Sequence, residues 1–293
     1  MKTIQKLFVV GIFILLIYGY SNGYLNSVVE YTGKVVKDFQ KQENLPEIPG
    51  ECDSCISIAN WNIQTFGKTK WAKENIKEKI ISVIQNYDII FIQEIRDKSG
   101  ESFDELCSSL EGYKCEISSR AGRTSSKEQY GVIYQEDIII TDTIDYNLDK
   151  KSNDFWERPP LRVDFNVNGY EFSAYNIHIK PNDVQEELQY LEVLINEEEG
   201  VKADNKNKEN VIILGDFNAD GFYYSEDDKD VFLEYEWVID DNIDTTVAKS
   251  DNTYDRIIMN DDMYNEYNSK GVYKELNKEV SDHYLTWTQI QAK

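Results

Sequence analysis

Apolar residues fall along this chain in two interleaved rhythms. Short runs rich in β-branched and aromatic side chains occupy Ile56–Trp61, Asp88–Ile92, Tyr130–Tyr134, Ile138–Thr143, Leu161–Val167, Tyr170–His178, Val211–Leu214, Thr253–Ile258 and Tyr284–Thr288, and each predicts a strand. Two stretches carry apolar residues at helical spacing instead: Trp71–Tyr87, with Ile76, Ile80 and Ile84 on one face, and Val184–Ile195, with Leu188, Leu191 and Ile195. The two kinds alternate without an internal repeat or a polar linker. This pattern predicts one α/β domain over residues 51–293.

The strand ends carry the chemistry. Val211–Asp220 reads V-I-I-L-G-D-F-N-A-D: four apolar residues form a buried strand and Gly215 ends it. Asp216 and Asn218 then follow on alternate positions, with Phe217 turned the other way. Alone, this is a strand followed by an Asx turn. Polar residues recur, however, at five strand ends: Asn62, Glu94, His178, Asp216 with Asn218, and Asp282 with His283. A glutamate directly after a buried strand is costly unless something pairs with it. The set is rich in oxygen and free of cysteine, which suits Mg²⁺ or Ca²⁺ rather than zinc. His178 and His283 are the chain's two histidines, and both stand beside such groups.

Charge and the termini narrow the partners. A net charge of −23 argues against a non-specific basic grip on nucleic acid, yet leaves a phosphate substrate open, because a bound cation reverses the local sign. The six arginines, Arg96, Arg120, Arg123, Arg158, Arg162 and Arg256, leave long arginine-free stretches, which hints at one electropositive zone on an acidic body. Residues 226–244 hold nine carboxylates and one lysine and read as a solvated acidic face. Lys2 and Lys6 precede the apolar run Leu7–Tyr18, which is short for a membrane span and fits the h-region of a secretory signal. Residues 1–23 are therefore expected to be a signal peptide or, uncleaved, an N-terminal membrane anchor, with 24–50 as a tether. Either way the domain is secreted or held extracytoplasmically, and this segment is its only expected membrane contact. Export favours two disulfides among Cys52, Cys55, Cys107 and Cys115 over a redox pair or a zinc site, with the pairing open.

Eight motifs follow one another in order: I-A-N-W-N-I-Q-T-F-G-K-T-K, Y-D-I-I-F-I-Q-E-I-R-D, G-R-T-S-S-K-E-Q-Y, E-R-P-P, Y-N-I-H-I, G-D-F-N-A-D, D-T-T-V-A-K-S-D-N-T-Y-D-R-I and S-D-H-Y. Over roughly residues 56–290 the chain thereby resembles the deoxyribonuclease I family, within the wider endonuclease/exonuclease/phosphatase superfamily. The resemblance implies a four-layer α/β/β/α sandwich, with the site between loops at one edge of two packed sheets. It implies endonucleolytic hydrolysis of DNA phosphodiesters, leaving 5′-phosphates, with Mg²⁺ or Mn²⁺ and a further Ca²⁺. Double-stranded DNA is the expected partner, single-stranded DNA or RNA the further ones, and the enzyme acts as a monomer. By the same resemblance, Glu94 with Asn62, Asp282 and Asp216 would hold the cation. His178 and His283 would be the general acid and base, oriented by Glu128 and Asp255. Asp216 and Asn218 would position water or stabilise the transition state, Arg158, Arg96 and Arg123 would contact phosphates, and Asp244 with Thr246 would bind calcium.

The chain departs from the family pattern at several positions. Gln64 stands where the family has its groove-reading arginine, and Ser126 where a tyrosine stacks in the minor groove. Gly221 and Thr253 replace the cysteines of a disulfide found in the vertebrate secreted enzymes, and Ala248 replaces a threonine near the calcium site. The rival reading is a phosphatase or phosphodiesterase of the same superfamily acting on phospholipids or inositol phosphates. The Y-D-R-I segment and the paired histidines lean towards the nuclease.

Overall fold

A computed structural model describes residues 45–203, 210–224, 230–249 and 251–292; the expected leader, the tether up to residue 44 and residues 225–229 of the acidic run lie outside them. Residues Pro46–Lys293 form one compact unit. Its strands make two six-stranded sheets. The first holds β1 (Cys55–Phe66), β2 (Ile89–Ile95), β3 (Tyr113–Ile117), β4 (Gln129–Gln135), β11 (Tyr267–Tyr273) and β12 (Leu285–Gln291) in the order β11-β12-β1-β2-β4-β3. The second holds β5 (Ile139–Asp145), β6 (Leu161–Val167), β7 (Tyr170–His178), β8 (Asn210–Asp216), β9 (Tyr235–Trp237) and β10 (Asp255–Asn260) in the order β5-β6-β7-β8-β10-β9.

Each sheet is built around one parallel pair, β1 with β2 and β7 with β8, and its other pairings are antiparallel. A parallel pair needs a crossover. Helices α1 (Lys68–Trp71) and α2 (Glu74–Ile84) supply the first, and α4 (Val184–Ala203) the second; α3 (Glu101–Ser108) follows β2, and α5 (Asp261–Tyr264) follows β10. Period-two alternation then sorts the side chains. Ala59, Trp61 and Ile63 of β1 and Ile90 and Ile92 of β2 pack with Ile76, Ile80, Val83 and Ile84 of α2. Tyr175 and Ile177 of β7 and Val211 and Ile213 of β8 pack with Leu188, Leu191 and Ile195 of α4. Truncating one such residue, as in Ile80→Ala, would cost about 2–5 kcal/mol.

The alternate positions face the space between the sheets. There Phe91 meets Phe165 edge-on at 6.1 Å. Gln93 Nε2 donates to Asn60 Oδ1 and to Asn176 Oδ1, both at 2.7 Å, joining the sheets beneath the strand ends. Helix, sheet, sheet, helix is the α/β/β/α sandwich.

Several boundaries differ from the sequence reading. Strand β8 does not end at Gly215 but runs through Asp216. Gly215 has φ +150, and a Cβ there would lie 1.8 Å from the Ile177 carbonyl oxygen, so only glycine lets β7 and β8 pair to their tips. Helix α4 runs past the expected Ile195 to Ala203, and β3, β9, β11 and α3 have no counterpart among the apolar runs. The last tether residues lie against the domain, the Glu47 carbonyl accepting from Trp287 Nε1 at 3.0 Å and Tyr87 Oη at 3.3 Å. The cysteines form two disulfides, Cys52–Cys55 and Cys107–Cys115. Among the described residues no helix is long and apolar enough to cross a membrane.

Candidate active site

The carboxyl ends of both parallel pairs open at one edge of the sandwich. Strand register makes the first half of the site. His178 on β7 lies opposite Asp216 on β8, and Asp216 lies opposite Asp255 on β10, so three functional side chains stand abreast. His178 Nδ1 is 2.6 Å from Glu128 Oε1, and His283 Nδ1 is 2.7 Å from Asp255 Oδ2. The free nitrogens converge: His178 Nε2 and His283 Nε2 lie 3.4 and 3.6 Å from the same oxygen, Asp216 Oδ2. Two rings are thus each fixed through Nδ1 by a buried carboxylate and present Nε2 to one place.

The electrostatic settings of the two rings differ. Burial works against the Glu128 charge, but His178, Arg158 and Arg96 outweigh it and hold the carboxyl down at about 2. Burial likewise works against the charged His283 ring, but Asp255, Asp216 and Asp282 prevail and push it up to about 10. Burial, reinforced by the neighbouring Asp216 charge, lifts Asp255 to about 6. Between these values His283 and Asp255 form an imidazolium–carboxylate pair. Asp216 is held below the usual range, because the two histidines and the Asn62 amide overcome its burial.

The first sheet supplies the other half, on a bent backbone. Asn62 Nδ2 donates to Asp216 Oδ2 at 2.9 Å and to Glu94 Oε1 at 3.3 Å, bridging the sheets. Register shifts after Asn62 and Ile92, and Gln64, Thr65 and Glu94 take left-handed φ of 49, 48 and 64. Such backbone costs a non-glycine residue roughly 1–3 kcal/mol and persists only where its surroundings over-determine it. Here Gln64 N donates to Asn62 Oδ1 at 2.9 Å and Thr65 N to Glu94 Oε2 at 2.8 Å. Glu94 and Asp282 both act on the ammonium of Lys70, which burial lowers to about 8 against their pull. Glu94, Asp282 and Asp216 carry hard carboxylate oxygens of the kind that suit Mg²⁺ or Ca²⁺, while Asn62 turns its Nδ2 to Glu94 and Asp216 and its Oδ1 to the Gln64 amide. Ligand atoms of Glu94, Glu128 and His178 also lie within 4.8 Å of one another, but Glu128 and His178 are committed to each other and to Arg158.

The remaining expected residues sit around this core. Asn218, at φ 49, donates from Nδ2 to the Ile179 carbonyl at 2.9 Å, while Phe217 turns into the core. Arg96 lies 3.2 Å from Glu94 Oε2 and donates to Ser126 Oγ at 3.0 Å. Arg158 donates to the His178 and Ile179 carbonyls at 2.8 and 3.1 Å and lies 3.4 Å from Glu128, so it braces His178 directly. Arg123 is exposed, its amide donating to Glu157 Oε1 at 2.7 Å. Asp244 Oδ1 accepts from the Thr246 amide and hydroxyl at 3.0 and 3.1 Å, and Thr246 bridges to His283 through backbone pairing. Thr253 N donates to Asp220 Oδ2 at 2.6 Å, beside Gly221.

The model of the endonuclease/exonuclease/phosphatase family matches residues 59–283. The chain belongs to that family. Among curated relatives, chicken (Gallus gallus) deoxyribonuclease-1 is 32% identical over 222 residues, covering 69% of this chain and 76% of the relative. The mouse (Mus musculus) deoxyribonuclease-1 is 30% identical over 263 residues, covering 78% and 89%. These relatives place the chain in the deoxyribonuclease I-like group. Solved structures share the fold at lower identity: D. rerio TDP2 complexed with single strand DNA product (TM-score 0.58, 15% identity, 81% of this chain and 99% of that one) and the Bacteroides thetaiotaomicron mannosyl-6-phosphatase (TM-score 0.57, 17%, 80% and 98%).

Some members of this family site carry no local sequence signal. Tyr130 Oη accepts from the His178 amide at 3.0 Å and donates to the Arg158 carbonyl at 3.2 Å, yet in sequence it is one more apolar strand residue. Gln93 stands beside Glu94 in the chain, but its bonds to Asn60 and Asn176 join partners 33 and 83 residues away.

Proposed function

We propose that this enzyme is an exported, divalent-cation-dependent nuclease that hydrolyses DNA phosphodiester bonds endonucleolytically, leaving 5′-phosphates. One observation carries the reading: two imidazoles, each locked through Nδ1 by a carboxylate, present Nε2 within 3.6 Å of a single oxygen. The relatives' name, deoxyribonuclease-1, supports DNA as the substrate.

A phosphodiester enters between the two Nε2 atoms. His178, whose Glu128 partner is shared with two guanidiniums, takes a proton from the attacking water. His283, held as imidazolium by the carboxylates around it, gives a proton to the departing 3′-oxygen as the P–O3′ bond breaks. Each transfer contributes about 10²–10⁴ in rate. Asp216 and Asn218 orient the water, and Arg96 and Arg123 meet flanking phosphates while Arg158 braces His178. Glu94, Asn62, Asp282 and Asp216 would hold Mg²⁺ or Mn²⁺, which when bound supplies positive charge to the phosphate. Asp244 and Thr246 are the residues for a separate Ca²⁺. The apolar leader and the two disulfides support export.

Supercoiled plasmid, RNA and a lipid phosphodiester, each assayed with Mg²⁺ and with EDTA, test the proposal. Plasmid nicking that EDTA abolishes is the expected result. Full nicking in EDTA, or hydrolysis of the lipid with intact plasmid, overturns it.

A further inference from the structure

The ladder between β1 and β12 ends at Asn60 opposite Thr286. Both chains continue past it towards the site, β1 to Asn62 and the Gln64–Thr65 turn, and the segment before β12 through Val280 to Asp282 and His283. With no ladder to hold these ends together, side chains do so. Ser281 Oγ donates to the Asn62 carbonyl at 2.6 Å and accepts from the His283 amide at 3.0 Å. Beside it, Lys70 Nζ donates to the carbonyls of Ile63, Gln64 and Val280 at 2.8, 2.5 and 2.6 Å. Three ammonium protons thereby meet three backbone oxygens drawn from both ends of the chain.

The lysine is firmly mounted. Its neighbour Trp71 is buried, donates from Nε1 to Glu105 Oε2 at 2.8 Å and meets Phe66 edge-on at 5.7 Å. Two consecutive left-handed residues, Gln64 and Thr65, need restraint from both sides. Asn62 and Glu94 grip their amides, and Lys70 grips the Gln64 carbonyl.

We propose that Lys70 is a positioning residue that joins the Asn62–Glu94 half of the cation site to the segment carrying Asp282 and His283. The inference rests on the metal-dependent reading above and goes beyond it, because Lys70 touches neither substrate nor cation. Its direct charge effect and its positioning effect have opposite signs. Removing a positive charge near Glu94 and Asp282 would tighten cation binding, whereas releasing the two segments would weaken it.

The test compares Lys70→Met with Lys68→Met, which removes the same charge from the same helix, where Lys68 makes an exposed ion pair with Glu101 of α3. Mn²⁺ binding is read by electron paramagnetic resonance, backbone order by amide hydrogen exchange, and turnover by plasmid nicking. For Lys70→Met, Mn²⁺ binding weakens by about 10–100-fold, as expected for a group that orients ligands. Exchange accelerates at residues 62–66 and 280–284, and kcat falls more than KM changes. Lys68→Met behaves as wild type. Unchanged or tighter Mn²⁺ binding by folded Lys70→Met, or unchanged exchange in the two segments, overturns the proposal. Should Lys70→Met fail to fold, Lys70→Gln, which keeps two donors, decides it: an intermediate loss supports the role and wild-type behaviour refutes it. Wild-type protein that binds no Mn²⁺ would sink the metal-dependent reading instead, and the exchange contrast alone then decides the role of Lys70.

Discussion

Two histidine–carboxylate pairs of nearly equal length sit on either side of Asp216, yet their surroundings differ in sign. The His178–Glu128 pair, 2.6 Å long, is flanked by Arg158 and Arg96. The His283–Asp255 pair, 2.7 Å long, faces Asp216 and Asp282. Identical geometry therefore does not mean identical duty. Beside His178 two guanidiniums face the carboxylate, whereas around His283 the negative charge of Asp255, Asp216 and Asp282 retains the proton. In the proposed mechanism the roles of base and acid follow from this difference in charge, not from position along the chain.

Deleting either ring is the largest test of this contrast. His178→Ala and His283→Ala are each expected to cut nicking turnover by about 10²–10⁴, and the double variant to lose far less than the product of the two. Because His178 stands at a strand tip outside the two apolar clusters, the melting temperature of its variant should move little, whereas His283→Ala should melt lower at neutral pH, since it loses the stability linked to that ring's proton. Destabilised variants with normal turnover per folded molecule would instead mark the rings as structural.

Replacing the carboxylates separates the pairs. Glu128→Gln and Asp255→Asn should each cost about 10–100-fold, the usual reach of a partner that orients a functional imidazole. Both should lower stability, Glu128→Gln because it leaves two guanidiniums beside a neutral group, and Asp255→Asn because it removes the charge that does most to hold the His283 proton. The Asp255→Asn loss should fade as pH rises through 10 and the Glu128→Gln loss should not; the same pH dependence in both variants would erase the proposed asymmetry.

Titration provides a third probe. The folded His283 value of about 10 lies above the ordinary 6.5, so the folded state binds the extra proton in between. The stability this contributes is fully present below pH 6.5 and is lost as pH rises through 10. Wild-type protein should therefore lose stability over that interval, and His283→Gln should show a flatter profile. An unchanged slope in the variant would show that the proton is not held there.

These probes also mark which parts of the site were legible in the sequence. Where period-two alternation reached the strand tip, as in Tyr170–His178 and in Asp216 with Phe217, facing and burial could be read directly. The sandwich and the histidine pair came from motif order. The bracing was not legible, because Tyr130, Arg158 and Lys70 act on backbone carbonyls and amides of distant segments, and such bonds impose no periodicity. Gly215 reads in sequence as a strand end, since a glycine after four apolar residues ordinarily is one; only the approach of the Ile177 carbonyl shows that it continues the ladder. The break between α1 and α2 leaves no mark in the apolar pattern, because Trp71 ends α1 and the Ile76, Ile80, Ile84 stripe lies wholly on α2.

The smallest expected effect concerns the residue at the edge of the bent half-site. Gln64 stands where the family resemblance puts a groove-reading arginine, is partly exposed, and has its backbone fixed at both ends, the amide by Asn62 Oδ1 and the carbonyl by Lys70. A substitution there should therefore alter the side chain's reach without moving the site. Gln64→Arg adds one cation to a chain of charge −23 and directs it where a duplex groove would lie. Duplex nicking should rise by several-fold, about what one good groove contact of roughly 1 kcal/mol gives. Cleavage of single strands should change less, and the gain should shrink as salt is raised. Ser126→Tyr is the weaker companion, because Ser126 Oγ accepts from Arg96 and a tyrosine must displace that bond before it can stack. A Gln64→Arg protein with wild-type melting and no duplex gain would mean that substrate approaches His283 and His178 without crossing the β1 edge, leaving the Arg96 and Arg123 side as the path of entry.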